Sequence, residues 1–251
     1  MKFTCFLLFS LCSLCCFAQA TPVNGQHMSE EIASATKKDT ITIAVLLYNS
    51  IVLEDFAGPM EVFSKAQQLT QGGYKTFTVA FSPEVIHTEN GLLKIVPDFT
   101  LDNFPKADYL LIPGASMPVI NKLREDKRLT TFLQTWAKQD SSYIFSVCTA
   151  AYLLANAGIL DHKNATTHYF VADDFEEQFP QVTLVRNVRY IADGRVITSS
   201  GVTSGIDAAL YIIGKNSGEK LQGMINRALQ YSYGTHEKWP VAPHGMRYRS
   251  K

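Results

Sequence analysis

Cys148 and Asp55 are the residues of this sequence whose types and settings could together do chemistry. Cys148 stands between a short apolar run of strand formers, residues 143–147, and an apolar stretch of helix formers, residues 150–157, that stops at Gly158. A side chain at such a strand-to-helix turn projects from the carboxyl edge of a sheet toward the first free N–H groups of the next helix. Those amides and the helix dipole favour thiolate over thiol, giving a nucleophile at neutral pH. The turn demands small residues two positions to either side, and Ser146 and Ala150 stand there. A buried core cysteine is the alternative fate of the same residue.

Asp55, preceded by Glu54, follows the first strand and opens the first helix. If Asp55 faces Cys148, two negative charges cannot readily form side by side. The pair would then share one proton and supply nucleophile and proton carrier together. Glu54 is better explained as a helix cap. Gly114 and Ala115, after Pro113, end a neighbouring strand, where backbone N–H groups could face a developing anion as in an oxyanion hole. Taken by itself, the stretch is better explained as a plain turn. His168, in Thr166-Thr167-His168-Tyr169, is the one histidine placed to approach the thiol, its alternative role being to start the next helix. His27, His87, His162, His236 and His244 lie scattered in polar segments without metal-ligand spacing, so no metal site is expected.

Strands alternating with helices must position these residues. Residues 40–48, 74–81, 109–113 and 143–147 read as strands, and 55–69, 126–139 and 171–179 as helices. Gly58-Pro59 falls in the first turn of the first helix, where proline costs little. Residues 84–97 carry a hairpin signal at Asn90-Gly91, and 188–191 pairs with 196–199 through Asp193-Gly194. Helices at 203–215 and 218–231 close the chain; Thr203 caps the first of them, and the glycines of 201–205 permit close packing. The expected fold is α/β, a flavodoxin-like sandwich with a mostly parallel central sheet and helices on both faces. Such sheets bind ligands at the carboxyl ends of their strands. Segments 48–55, 113–117 and 147–149 converge on that rim.

The 251 residues carry 23 basic and 23 acidic side chains, a balance that gives no hint of a nucleic-acid partner. Residues 1–20 differ from the rest: Lys2, an uncharged apolar run over 3–18, then Ala18-Gln19-Ala20 before Thr21. This reads as a secretory signal peptide cleaved near Ala20-Thr21, too short to span a membrane, so a periplasmic or secreted protein without stable membrane insertion is expected. A polar leader (21–39), one domain (40–233) and a tail (234–251) follow. Four of the five cysteines, Cys5, Cys12, Cys15 and Cys16, leave with the signal. An exported chain whose single remaining thiol is Cys148 has no internal disulfide, which favours a chemical role.

Five ordered stretches carry a family resemblance: LEDFAGPMEVF (53–63), GLLKIVPDFTL (91–101), ADYLLIPGA (107–115), SVCTAAYLLANAGILDHKNATTH (146–168) and GVTSGIDAAL (201–210). Together they resemble the ThiJ/PfpI superfamily, related to the class I glutamine amidotransferases. The nearest likenesses are its isonitrile hydratase branch and the amidotransferase-like domain of AraC-type regulators. The resemblance implies Cys148 as nucleophile, Asp55 as partnering acid, Thr149 beside the nucleophile, and Gly114-Ala115 as an anion-binding wall. It implies hydration of a small-molecule isonitrile to a formamide with no metal or organic cofactor, in a homodimer. Ala150, Ala115 and Tyr169 stand where the family usually has Gly, Gly and Trp. The alternative is a non-catalytic ligand- or stress-sensing domain like that of AraC-type regulators, expected to lack their DNA-binding module.

Overall fold

The computed structural model describes residues 40–231. The signal peptide (1–20), leader (21–39) and tail (234–251) expected from the sequence lie outside the described residues.

A seven-stranded sheet forms the centre. Its strands are β1 (Ile41–Leu47), β2 (Tyr74–Ala80), β5 (Phe99–Thr100), β6 (Tyr109–Ile112), β7 (Tyr143–Val147), β10 (Tyr190–Asp193) and β11 (Val196–Ser199), in spatial order β10-β11-β7-β6-β1-β2-β5. All neighbours run parallel except β10, which pairs antiparallel to β11 at one edge. Two small pairs stand apart: β3 (Ile86–His87) with β4 (Lys94–Ile95), and β8 (Asn164–Ala165) with β9 (Thr183–Leu184). Strands covered on both faces read as unbroken apolar runs. ITIAVLL in β1 and YLLI in β6 are of this kind, buried almost throughout. Burying each Val, Leu or Ile there contributes roughly 1.5–3 kcal/mol.

Helices flank the sheet in two groups. α1 (Leu53–Leu69) packs against α6 (Ser204–Ala228), while α2 (Met117–Arg124), α3 (Lys127–Ala137) and α4 (Ala151–Asn156) pack together. α5 (Ala172–Gln178) seats Phe175 edge-on against Tyr152, ring centroids 4.9 Å apart. No helix among the described residues is long and apolar enough to cross a membrane.

Several local expectations shift. α1 begins at Leu53, so Pro59 lies inside the helix rather than in its first turn. Its ring fits against α6 because Gly205 has no side chain; a Cβ there would stand 3.0 Å from Pro59 Cγ. The Asn90-Gly91 signal produces a 3₁₀ turn, Glu89–Gly91, between β3 and β4 instead of a two-residue hairpin turn. Thr88 Oγ1 takes the Leu93 N–H at 2.9 Å and closes that wider loop. In the β10–β11 hairpin Asp193 pairs with Val196, which moves the turn to Gly194-Arg195; Gly194 supplies the positive φ of 62°. The two closing helices run as one, α6, broken at Gly218 with φ 84° and ψ 166°.

Candidate active site

β7, β6 and β1 are adjacent and parallel, with β11 beyond β7, so their carboxyl ends share one edge. Cys148 follows β7 directly with φ 61°, a left-handed conformation unusual for a residue with a side chain. A 3₁₀ turn, Cys148–Ala150, leads from it into α4. Ser146 and Ala150 are fully buried on either side. The geometry is the tight strand-to-helix turn that the apolar pattern implied, with Cys148 at its apex.

Asp55 sits in the first turn of α1 and is fully buried. Its Oδ2 accepts the Gly114 N–H at 2.9 Å; its Oδ1 has no hydrogen-bond partner. Gly114 is where acid and thiol converge. A Cβ at Gly114 would stand 2.7 Å from Asp55 Oδ2, 2.8 Å from Cys148 Cβ and 2.8 Å from Thr149 Oγ1. Gly201, after β11, plays a similar part with φ 114°: a Cβ there would lie 3.1 Å from Cys148 Sγ and 2.9 Å from His168 Cδ2. Only glycine lets the backbone approach the sulfur so closely.

Burial pushes Asp55 up to about 7, against the lowering effects of the Gly114 N–H and of the neighbouring Cys148 thiol. Glu89 and Glu54 add to the rise through their charges. Burial, then the charge of Asp55, holds the Cys148 thiol well above its ordinary range, outweighing the Thr149 N–H that favours thiolate. The thiolate-favouring turn expected from the sequence is therefore overridden: desolvation of the buried sulfur exceeds the pull of one amide. The resting pair is a protonated thiol beside a carboxyl group raised to about 7, far above its ordinary range.

The expected anion-binding wall is also rearranged. The Gly114 N–H is given to Asp55, and the Ala115 N–H to Thr149 Oγ1 at 3.0 Å, so neither amide faces an incoming anion. Thr149 returns its own hydroxyl proton to the Ala115 carbonyl at 2.7 Å. These residues fix the floor of the site. His168 does start a short helical turn, Tyr169–Val171, its Nδ1 accepting the Phe170 N–H at 3.4 Å. Burial lowers its pKa, so at neutral pH it is an uncharged imidazole beside the sulfur.

Two capping expectations fail. Val52 occupies the cap position of α1 with no side-chain bond, and Glu54 lines the cavity instead. Thr203 accepts from Arg189 Nη2 at 3.1 Å rather than capping α6, while Ser204 Oγ takes the Gly201 N–H at 2.6 Å. Tyr48 was not singled out from the sequence. Its phenol is buried against Asp55 and Cys148 and donates to the Pro113 carbonyl. A hydroxyl-bearing aromatic at the end of an otherwise aliphatic strand was the available signal.

Above this floor opens a cavity of about 630 Å³. Cys148, Ala115, Thr149 and His168 line it, while the fully buried Asp55 lies beneath this lining, across Gly114 from Cys148. Among the described residues no group of three or more His, Cys, Asp or Glu could hold a metal ion.

Comparison with known proteins places this geometry among relatives. Residues 42–215 match the DJ-1/PfpI family. The chain is 30% identical over 191 residues to the HTH-type transcriptional regulator GbdR of Pseudomonas aeruginosa, covering 76% of this chain and 50% of the regulator. It thus spans half the length of that relative. It is 26% identical to the isonitrile hydratase of Pseudomonas putida, covering 76% of this chain and 79% of the hydratase. A THiJ/PfpI family protein from Pseudomonas syringae has the same fold, with TM-score 0.71, 24% identity, and 90% and 89% of the two chains covered.

Proposed function

The chain belongs to the DJ-1/PfpI family, and from that premise we propose that it is a cysteine-dependent hydratase resembling isonitrile hydratase. One observation carries the reading: Asp55, raised to about 7, is buried beside the Cys148 thiol, and Cys148 lines the cavity. A base of that pKa is poised to take and return a proton at neutral pH.

In this reading the Asp55 carboxylate takes the thiol proton as Cys148 Sγ bonds to the terminal carbon of an isonitrile, and Asp55 gives that proton to the same carbon. The product is a thioimidate on sulfur. Water then adds to the carbon; Asp55 takes one of its protons and relays it to nitrogen. The tetrahedral carbon collapses to a carbonyl, the C–S bond breaks, and the hydroxyl proton returns through Asp55 to sulfur. The sum is isonitrile plus water giving an N-substituted formamide, with nothing oxidised or reduced. Thr149, Gly114 and Ala115 hold the pair in register, and His168 borders the reacting carbon. Export and pairing into a homodimer belong to the same reading, supported by the apolar run at 3–18 and by the family resemblance.

The test is formamide production from a small aliphatic isonitrile by the purified protein, beside Cys148→Ala and Asp55→Ala. Turnover should fall to background in both. Formamide that survives Cys148→Ala overturns the mechanism. The regulator relative supports a second reading, a ligand-sensing domain that binds through the same cavity without turnover. Tight binding of the isonitrile by a protein that produces no formamide would select it.

A further inference from the structure

The cavity wall carries charge that the proposed hydration does not use. Glu54 and Glu89 both line it; among the described residues no Lys or Arg does, and neither carboxylate has a hydrogen bond or ion pair. Glu54 is half-buried on α1, its Oε1 resting 2.8 Å from where a Cβ on Gly58 would stand, so that glycine leaves the carboxylate its space. Glu89 is exposed at the cavity edge, and its backbone N–H donates to the Ile51 carbonyl at 2.9 Å, which ties its turn to the loop entering α1. Both charges reach the reacting pair, since each raises Asp55. The remaining wall is largely apolar, with Val52, Leu53, Leu92, Met117, Phe170 and Val202.

We propose that this cavity selects small aliphatic molecules bearing one positive charge, a protonated or quaternary amine, with Glu54 and Glu89 as the specificity residues. The proposal rests on the reading that the reaction occurs at Cys148. Carboxylates on the wall and at the edge of a concave, largely apolar cavity focus negative potential there, concentrating cations and repelling anions. The Phe170 ring offers a cation a further attractive surface. A neutral apolar ligand of the same shape would cover the half-buried Glu54 and leave it without a partner, which disfavours it.

The full chain is treated with two methanethiosulfonates of similar size, one carrying a trimethylammonium and one a sulfonate, and labelling of Cys148 is followed by peptide mass spectrometry. Rates are normalised to those of 2-mercaptoethanol. The cationic reagent is expected to react at least about tenfold faster in relative rate, by charge steering, and Glu54→Gln with Glu89→Gln should bring the ratio near that of the free thiol. Should the double variant fail to fold, Glu89→Gln alone, at an exposed position, is expected to lower the ratio. A wild-type ratio at or below the free thiol's, or one unchanged by the substitutions, overturns the proposal. Formamide assays with a dimethylammonium-bearing isonitrile and its neutral isostere separate the two readings. No formamide from either, with the labelling ratio intact, removes hydration and leaves charge selection standing. Equal kcat/KM for both, with a flat labelling ratio, removes charge selection and leaves hydration.

Discussion

Tyr48 and Asp55 hold opposite ends of one peptide unit: the Tyr48 phenol donates to the Pro113 carbonyl, while Asp55 Oδ2 accepts the Gly114 N–H at 2.9 Å. The tyrosine thereby aims the amide that stabilises the carboxylate form of Asp55. Tyr48→Phe leaves the buried carbonyl unpaired, at a cost of about 1–3 kcal/mol. With the amide loosened, Asp55 moves further above about 7. The pH at which kcat/KM for formamide reaches half its maximum should rise in the variant. An unchanged pH profile would show that the phenol only fills space.

Asp55 also links stability to pH. Its folded pKa of about 7 lies above the ordinary 3.8, so between those values the native state holds a proton that the unfolded chain has released. Stability contributed by this site therefore falls as pH climbs from about 4 to about 7 and is level above, on the order of 4 kcal/mol in all. Asp55→Asn removes that slope. Urea denaturation of both proteins across pH 4–8 isolates the site, because other titrations cancel in the difference. Parallel curves for the two proteins would place Asp55 near its ordinary value.

The Cys148 thiol is held protonated by burial and by Asp55. Its reaction with iodoacetamide at pH 7 should be slower than that of a free cysteine and should rise with pH. Asp55→Asn removes the opposing charge and is expected to speed alkylation at pH 7 several-fold, following thiolate fraction. Faster labelling of wild type than of free cysteine at pH 7 would mean that the turn amides dominate after all.

Gly114→Ala forces a methyl within 2.8 Å of Asp55, Cys148 and Thr149 atoms. Overpacking there should cost about 1–3 kcal/mol, and displacing the pair by an ångström should lower formamide production about 100-fold. Gly72→Ala is the control: it also has a positive φ, 103°, but a Cβ there meets nothing within 4 Å. It should lose stability through the backbone alone and keep its turnover, measured in the same assay.

How much of this was legible in the chain differs by residue. β1, β6 and β7 could be found because strands covered on both faces are written as local apolar runs, and Cys148 because a strand, a turn and a helix former adjoin it. Glu54 and Thr203 show the opposite. Each stood where a cap belongs, yet the half-buried Glu54 lines the cavity and Arg189, 14 residues before Thr203, drew that hydroxyl away. Tyr48 and Pro113 are 65 residues apart in number, a meeting that the parallel pairing of β1 with β6 brings about.

The sequence by itself determined the α/β order of elements, the strand-to-helix turn that presents Cys148, and which residues gather at the carboxyl edge, because each follows from periodicity and turn chemistry within a few neighbouring positions. The tertiary structure alone decided that the thiol is held protonated, that the Gly114 and Ala115 amides are already spent on Asp55 and Thr149, and that Glu54 and Glu89 line the cavity without a partner among the described residues. Desolvation and competition for hydrogen-bond partners depend on what the fold packs around a group, and that information is spread over the whole chain.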